Sequence, residues 1–253
     1  MPKKIRRFFL RHLRKMRFLP SKFYVGVHYE YFSGKKLDLY NPQDFNAKIE
    51  WYKVFFRPVI LNQLVDKYHV RSFVEKKIGI EYLNELYAVC NKAEDIDFES
   101  LPNSFVIKAN HTNGHNLIVE NKDNLDKKKS VKLLNKWLGK NQYYRRGQEW
   151  AYKDVKPKLI IEKFLKEKDK NTLVDYKFYC FDGKVKFLDV HLDRASEHKQ
   201  CCYDVDFNIL PFRKSKEDTV EFFKDFKEPS NFKEMVKLSK ILGENLQFTR
   251  VDF

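Results

Sequence analysis

The sequence predicts an α+β fold, and three observations carry that reading. Helical patterns with capping signals fill the stretch before Leu101. From Ser104 onward, short apolar runs are separated by polar, Gly-containing turns such as Asp182-Gly183. One further helical stretch and one apolar run follow. Helices first, then antiparallel strands, then a helix and a strand differ from the strict alternation of a doubly wound parallel sheet. A chain of 253 residues with 43% apolar and 16% aromatic side chains can bury a real core, which excludes wholesale disorder.

Residues Met1–Tyr29 carry only basic charges, Glu30 being the first acid. Ile5, Phe9, Leu13 and Met16 recur at helical spacing, with Arg6, Arg7, Arg11, Arg14, Lys15 and Arg17 between them. Two readings fit: a helix packed on the domain with a solvated basic side, or an anionic membrane surface bound through residues 1–20. The basic residues interrupt any apolar run, so no secretory signal is expected. Asn41-Pro42 opens the next segment, where Asn41 or Asp44 can cap a helix over Phe45–Phe56. Asp66–Lys77 reads as a second helix, ended by Gly79.

Ser104–Ala109 and Leu117–Glu120 read as strands joined by the polar stretch Asn110-His111-Thr112-Asn113-Gly114-His115-Asn116. Lys127–Leu138 is helical, and Lys158–Leu165 has the pattern of a buried strand. Val174–Phe181 and Lys184–Leu192 alternate about Asp182-Gly183, a strong two-residue hairpin signal. Asn231–Leu242 is a helix, and Leu246–Phe253 a final strand. The organisation predicted is a basic amphipathic segment over 1–38, a helical region over 39–100, a sheet with a Gly loop over 101–165, and a second sheet over 166–253.

Composition narrows the function classes. No apolar run reaches the roughly 18 residues needed to span a membrane. Cys90, Cys180, Cys201 and Cys202 form no C-x-x-C pair, which suits neither a zinc knuckle nor a disulfide framework and points to a reducing, cytoplasmic setting. The formal charge of +15 favours a polyanionic partner without choosing among nucleic acid, anionic lipid and phosphorylated or acidic substrates.

The charged residues inside apolar runs carry the chemistry. Lys108, Glu162, Lys177, Arg194, Arg250 and Asp252 lie in or near the ends of predicted strands. An unpaired charge there is costly if buried. Together with a flexible Gly loop they suit a polyphosphate site: cations neutralise phosphate oxygens, backbone N–H groups cradle them, and a carboxylate holds Mg²⁺. His111 and His115 flank the loop without the fixed face or third ligand that zinc needs, so contact with phosphate or solvent is expected.

The order of these residues resembles a known family. Phe-Val-Ile-Lys108 with its polar loop is followed by Ile-Ile-Glu162-Lys-Phe-Leu. Asp175-Tyr-Lys177-Phe-Tyr with Asp-Gly-Lys184 comes next, then Phe-Thr-Arg250-Val-Asp252-Phe. Asn41-Pro-Gln-Asp-Phe-Asn-Ala-Lys-Ile-Glu-Trp51, Asp66-Lys-Tyr-His-Val-Arg71 and Glu149-Trp-Ala-Tyr152 add upstream signatures. From about Leu39 onward the chain resembles the ATP-grasp superfamily, and within it the TupA-like family of teichuronopeptide and surface-polysaccharide biosynthesis.

The resemblance implies an ATP-grasp fold with ATP and Mg²⁺ held between two antiparallel sheets. It implies a carboxylate–amine ligase working through an acyl phosphate, with a sugar or glycan carboxylate and an amine donor as substrates and no specific nucleic acid. Lys108 would contact the adenine and α-phosphate side, and Glu162 would accept from the adenine amino group. The backbone of Lys163, Phe164 and Leu165 would form the hinge. The Asn110–Asn116 loop, with Asn110, Gly114 and His115, would close over the β- and γ-phosphates. Lys177 and Arg194 would contact phosphate or acyl carboxylate, Arg250 would stabilise the transferring phosphoryl group, and Asp252 would ligate Mg²⁺. In the superfamily a further strand with a Glu completes the metal site. The sequence stops at Phe253: the natural protein continues, or the second metal ligand comes from elsewhere, with Asp189 and Asp193 the nearest spare carboxylates, or catalysis is lost, and continuation is the expectation.

Two rival classes remain. A glycosyltransferase on the same glycans would use an Asp-x-Asp, which Asp204-Val-Asp206 offers. A basic nucleic-acid or membrane module would rely on interleaved Lys, Phe and Tyr.

Overall fold

The computed structural model describes residues 3–16, 18–145, 147–166, 173–192, 198–211, 223 and 225–253. It has two compact units, Met1–Phe73 with Asn84–Phe164, and Val74–Leu83 with Leu165–Phe253. The expected α+β class is what the structure has: helices with two antiparallel four-stranded sheets.

The first unit begins with α1 (Lys3–Leu13) and α2 (Ser21–Ser33). α2 ends at Gly34, whose φ of 73° lets its N–H reach back to Glu30 O. The Asp44 cap forms as expected: Asp44 Oδ1 accepts from Ala47 N at 2.9 Å and starts α3 (Phe45–Phe55). Next comes α4 (Ile60–Val65). The second helix starts later than expected, as α5 (Val70–Ile78), because Asp66 Oδ1 accepts from the N–H groups of Tyr68 and His69 and holds a turn before it. The unit boundary falls inside α5.

The first sheet is β1 (Leu86–Cys90), β2 (Phe105–Ala109), β3 (Asn116–Val119) and β4 (Leu159–Lys163), in the order β1-β4-β2-β3. α6 (Lys127–Leu138) covers one face, capped by Asp126 and followed by the short α7 (Gln142–Arg145). Strand alternation sends Phe105, Ile107, Ala109, Leu159 and Ile161 into a core with Leu134 and Trp137 of α6. Val106, Lys108, Ile160 and Glu162 therefore share the other face.

The second unit has β5 (Asp175–Phe181), β6 (Lys184–Leu192), β7 (Lys199–Tyr203), α8 (Phe232–Gly243) and β8 (Phe248–Asp252), with sheet order β7-β6-β5-β8. The hairpin signal holds: Asp182 and Gly183 both have positive φ, 48° and 69°, the twist a tight two-residue turn needs. Phe178, Cys180, Leu188 and Val190 pack with Phe232 and Met235 of α8. A Cβ on Gly243 would stand 3.0 Å from Cys180 Cβ, so glycine permits the close approach of α8 to β5. Tyr82 OH donates to Glu234 at 2.6 Å and Lys77 pairs with Glu244 at 2.7 Å, which ties residues 74–83 into this unit. All four cysteines are buried, and none is in a disulfide. No helix among the described residues is long and apolar enough to cross a membrane.

Candidate functional site

In the first unit the site grows from one diagonal across two strands. Lys108 stands opposite Ile160 and Val106 opposite Glu162, so Lys108 and Glu162 lie two residues apart on one face. Long side chains span such a diagonal. Lys108 Nζ donates to Glu162 Oε2 at 2.6 Å. Arg71, from α5, donates through Nη1 to Glu162 Oε1 at 3.2 Å and through Nη2 to Asn84 O at 2.6 Å. Glu162 is buried, and two cations supply the charge that its desolvated carboxylate requires.

The polar loop is anchored at its root. Lys67 Nζ donates to Ala109 O at 3.0 Å and to Thr112 O, and Lys67 N donates to Asn110 O at 3.2 Å. Asn110, fully buried, donates from Nδ2 to Asp66 Oδ1 at 2.9 Å and to Lys156 O at 3.0 Å, while its Oδ1 accepts from Lys158 N at 2.6 Å. Asn110 thus fixes the loop base, and the exposed tip is Asn113, Gly114 and Asn116. Gly114 has φ 70°, backbone that favours glycine.

Electrostatics follow burial. Burial, then the neighbouring Lys108 charge, pushes the Lys67 ammonium down to about 8. Burial works against the Asp66 carboxylate, yet hydrogen bonds from His69 and Asn110 hold its pKa below the ordinary value. Burial, then Arg145, lowers His115. Arg145 Nη1 lies 3.1 Å from His115 Nε2, which makes that nitrogen the acceptor and leaves Nδ1–H to donate to Thr112 Oγ1 at 2.7 Å. At the far end of β4, Lys163 N donates to Glu85 O, and Lys163 O accepts from Asn84 Nδ2 at 2.9 Å. Phe164 is half-buried and Leu165 exposed.

In the second unit, Lys177 stands opposite Asp252 of β8 and Asp189 of β6, so one row reads carboxylate, ammonium, carboxylate. Tyr179, opposite Arg250, continues the same face. Lys177 Nζ lies 3.2 Å from Asp175 Oδ2, and His191 Nε2 lies 3.0 Å from Asp189 Oδ2. Arg250 grips Asp252 with two bonds, 2.6 and 2.7 Å. Asp193 and Arg194 lie outside the described residues.

No group of three or more His, Cys, Asp or Glu side chains that could hold a metal exists among the described residues. Asp252 is nonetheless an exposed hard-oxygen donor, and Mg²⁺ needs only one or two carboxylates when phosphates supply other oxygens. Asp204 holds a turn, accepting from Asp206 N, Asn208 N and Asn208 Nδ2.

The anchoring of the loop by Lys67, the pairing of Arg71 with Glu162 and the approach of His191 to Asp189 were not expected from the sequence. Asp189 and His191 had a usable signal, because alternation along β6 places them on one face with Phe187.

A family model described as TupA-like ATPgrasp matches residues 47–253. The chain belongs to the TupA-like ATP-grasp family. Among solved structures, this family member is similar to D-alanine–D-alanine ligase from Bacillus anthracis complexed with ATP, at 18% identity over 76% of this chain and 52% of that one, with a TM-score of 0.40. It is also similar to the ATP-grasp ligase PsnB complexed with a phosphomimetic variant of its minimal precursor, Mg and ADP. That likeness has 12% identity over 82% of this chain and 52% of the other, with a TM-score of 0.37. The chain spans about half the length of these solved structures. No curated protein matches it.

Proposed function

We propose that this chain is an ATP-dependent carboxylate–amine ligase that joins an amine or amino acid to a carboxylate of a sugar or surface glycan. The observation that carries the reading is the family match over residues 47–253. The pairing of Lys108 with Glu162 on one sheet face supports it.

Lys108 and Arg71 neutralise phosphate oxygens, and Glu162 orients both and accepts from the adenine amino group. The backbone of Lys163, Phe164 and Leu165 lines the base. The Asn110–Asn116 loop, with Gly114 and His115 at its outer part, covers the β- and γ-phosphates, and Asn110 and Lys67 hold its root. Lys177 and Arg194 contact phosphate or acyl carboxylate, and Arg250 stabilises the transferring phosphoryl group. Asp252 would hold Mg²⁺, which would neutralise phosphate charge when bound. The γ-phosphoryl group passes to a carboxylate oxygen, giving acyl phosphate and ADP. The amine nitrogen then attacks the carbonyl carbon, the C–O bond to phosphate breaks, and an amide, phosphate and a proton result. Each step depends on positioning and charge neutralisation.

Trapping tests the reading. With Mg-ATP, an acidic sugar such as glucuronate or galacturonate, and hydroxylamine as the amine, the chain should form a hydroxamate with one ADP for each. ADP formed equally without any carboxylate, or sugar transferred from a nucleotide sugar instead, would replace this reading with hydrolysis or with glycosyl transfer.

A further inference from the structure

The sequence leaves α1 open between packing on the fold and lying on a membrane, and the structure divides those tasks between its two residue types. The arginines do the packing. Arg14 lies 4.2 Å from the Tyr31 ring centroid and 4.4 Å from that of Phe32, and Arg7 lies over Tyr31 at 5.3 Å. Arg6 pairs with Glu30. Leu10 and Leu13 are half-buried beside them. The expected stripe of Ile5 and Phe9 is therefore not the packed side: Ile5 is 48%, Phe8 59% and Phe9 55% exposed.

At about 100° per residue these three side chains occupy one arc of about 100°. Exposed Lys4 and Arg11 lie together along one edge of that arc, exposed His12 stands within it, exposed Lys15 follows the helix, and Phe18 beyond it is 82% exposed. No acidic residue occurs before Glu30. Exposed apolar side chains edged by Lys4 and Arg11, on a helix too short to span a bilayer, match the boundary between headgroups and acyl chains. Phenyl groups suit the acyl edge of a bilayer, and ammonium and guanidinium groups suit lipid phosphates.

We propose that the outward face of α1 docks on an anionic lipid bilayer through Ile5, Phe8 and Phe9, with Lys4 and Arg11 on the headgroups. The arginines turned toward α2 hold the helix in the orientation that presents this face. The proposal stands apart from the ligase reading, because Lys108 and Glu162 play no part in it.

The test is sedimentation of the full chain with vesicles of phosphatidylcholine alone, or of phosphatidylcholine with phosphatidylglycerol at seven to three. Binding should be at least tenfold tighter to the anionic vesicles. The pair Phe8→Asp and Phe9→Asp should reduce it at least tenfold with an unchanged melting temperature, since neither ring is buried. Lys4→Gln and Arg11→Gln should each weaken it about fivefold, the equivalent of about 1 kcal/mol per cation at such a surface. Absence of binding, equal binding to both compositions, or undiminished binding by the Phe variants would overturn the proposal. So would light scattering that shows a wild-type dimer made monomeric by Phe8→Asp and Phe9→Asp, which would assign the face to a second copy.

Discussion

Replacing Glu162 by alanine removes the carboxylate that Lys108 and Arg71 both contact, at 2.6 and 3.2 Å. The two cations differ in how readily they reach water. The Lys108 side chain is 31% exposed, whereas Arg71 is 17% exposed and remains tied to Asn84 O. Most of the penalty therefore falls on Arg71. Breaking a buried ion pair from one side costs about 3–5 kcal/mol. With Lys108 able to swing to solvent, the lower end applies, about 3 kcal/mol. For a chain of this size that is a fall of about 6–12 °C in melting temperature. Scanning calorimetry on Glu162→Ala and the isosteric Glu162→Gln measures it, and the glutamine variant should lose less because one acceptor oxygen remains. Adding Arg71→Met to Glu162→Ala should cost less than the two single losses together, since the orphaned cation is gone. A fall below about 2 °C for Glu162→Ala, or strict additivity with Arg71→Met, would refute the idea that this carboxylate balances both cations.

Lys67 makes stability depend on pH. Its folded pKa of about 8 lies below its unfolded value of 10.5, so across that window the unfolded chain binds more protons and stability rises with pH. The rise should reach at most about 3 kcal/mol and be missing in Lys67→Met; parallel urea-unfolding curves from pH 7.5 to 10.5 for both proteins would contradict it. His115, lowered by burial and then by Arg145, should titrate below 6.5 in an NMR experiment and move upward in Arg145→Gln. An unmoved His115 resonance in that variant would show that the 3.1 Å contact does not set its charge.

Much of this arrangement was legible in the letters. Lys108 and Glu162 stood out as charges inside apolar runs, and strand alternation with the antiparallel register puts them on one face. The helix α6 was readable over Lys127–Leu138, and the hairpin from Asp182-Gly183. Helix α2 was hidden because Ser21–Ser33 is rich in aromatic and β-branched residues and contains Gly26, a composition closer to a strand. Burial of Tyr24, Val25, Val27 and Tyr29 holds it helical. Strand β1 is five residues long without a turn signal, and its pairing with β4 shifts register between Leu86 and Ala88. The roles of Lys67 and Arg71 were invisible for another reason. Their partners Ala109 and Glu162 lie 42 and 91 residues away, so local pattern shows only a charged helix start. In α1 the periodicity was legible but the side that packs was left open, and cation–π contacts of Arg7 and Arg14 decide which side meets α2.

The account rests on Lys108 meeting a nucleotide phosphate, and titration calorimetry of Mg-ATP into the full chain measures that contact. One site should be seen in the wild type, and Lys108→Ala should bind about 10- to 100-fold more weakly, the worth of one charge-assisted hydrogen bond. Equal affinity in the two proteins, or no heat with either, would contradict the nucleotide site at its centre.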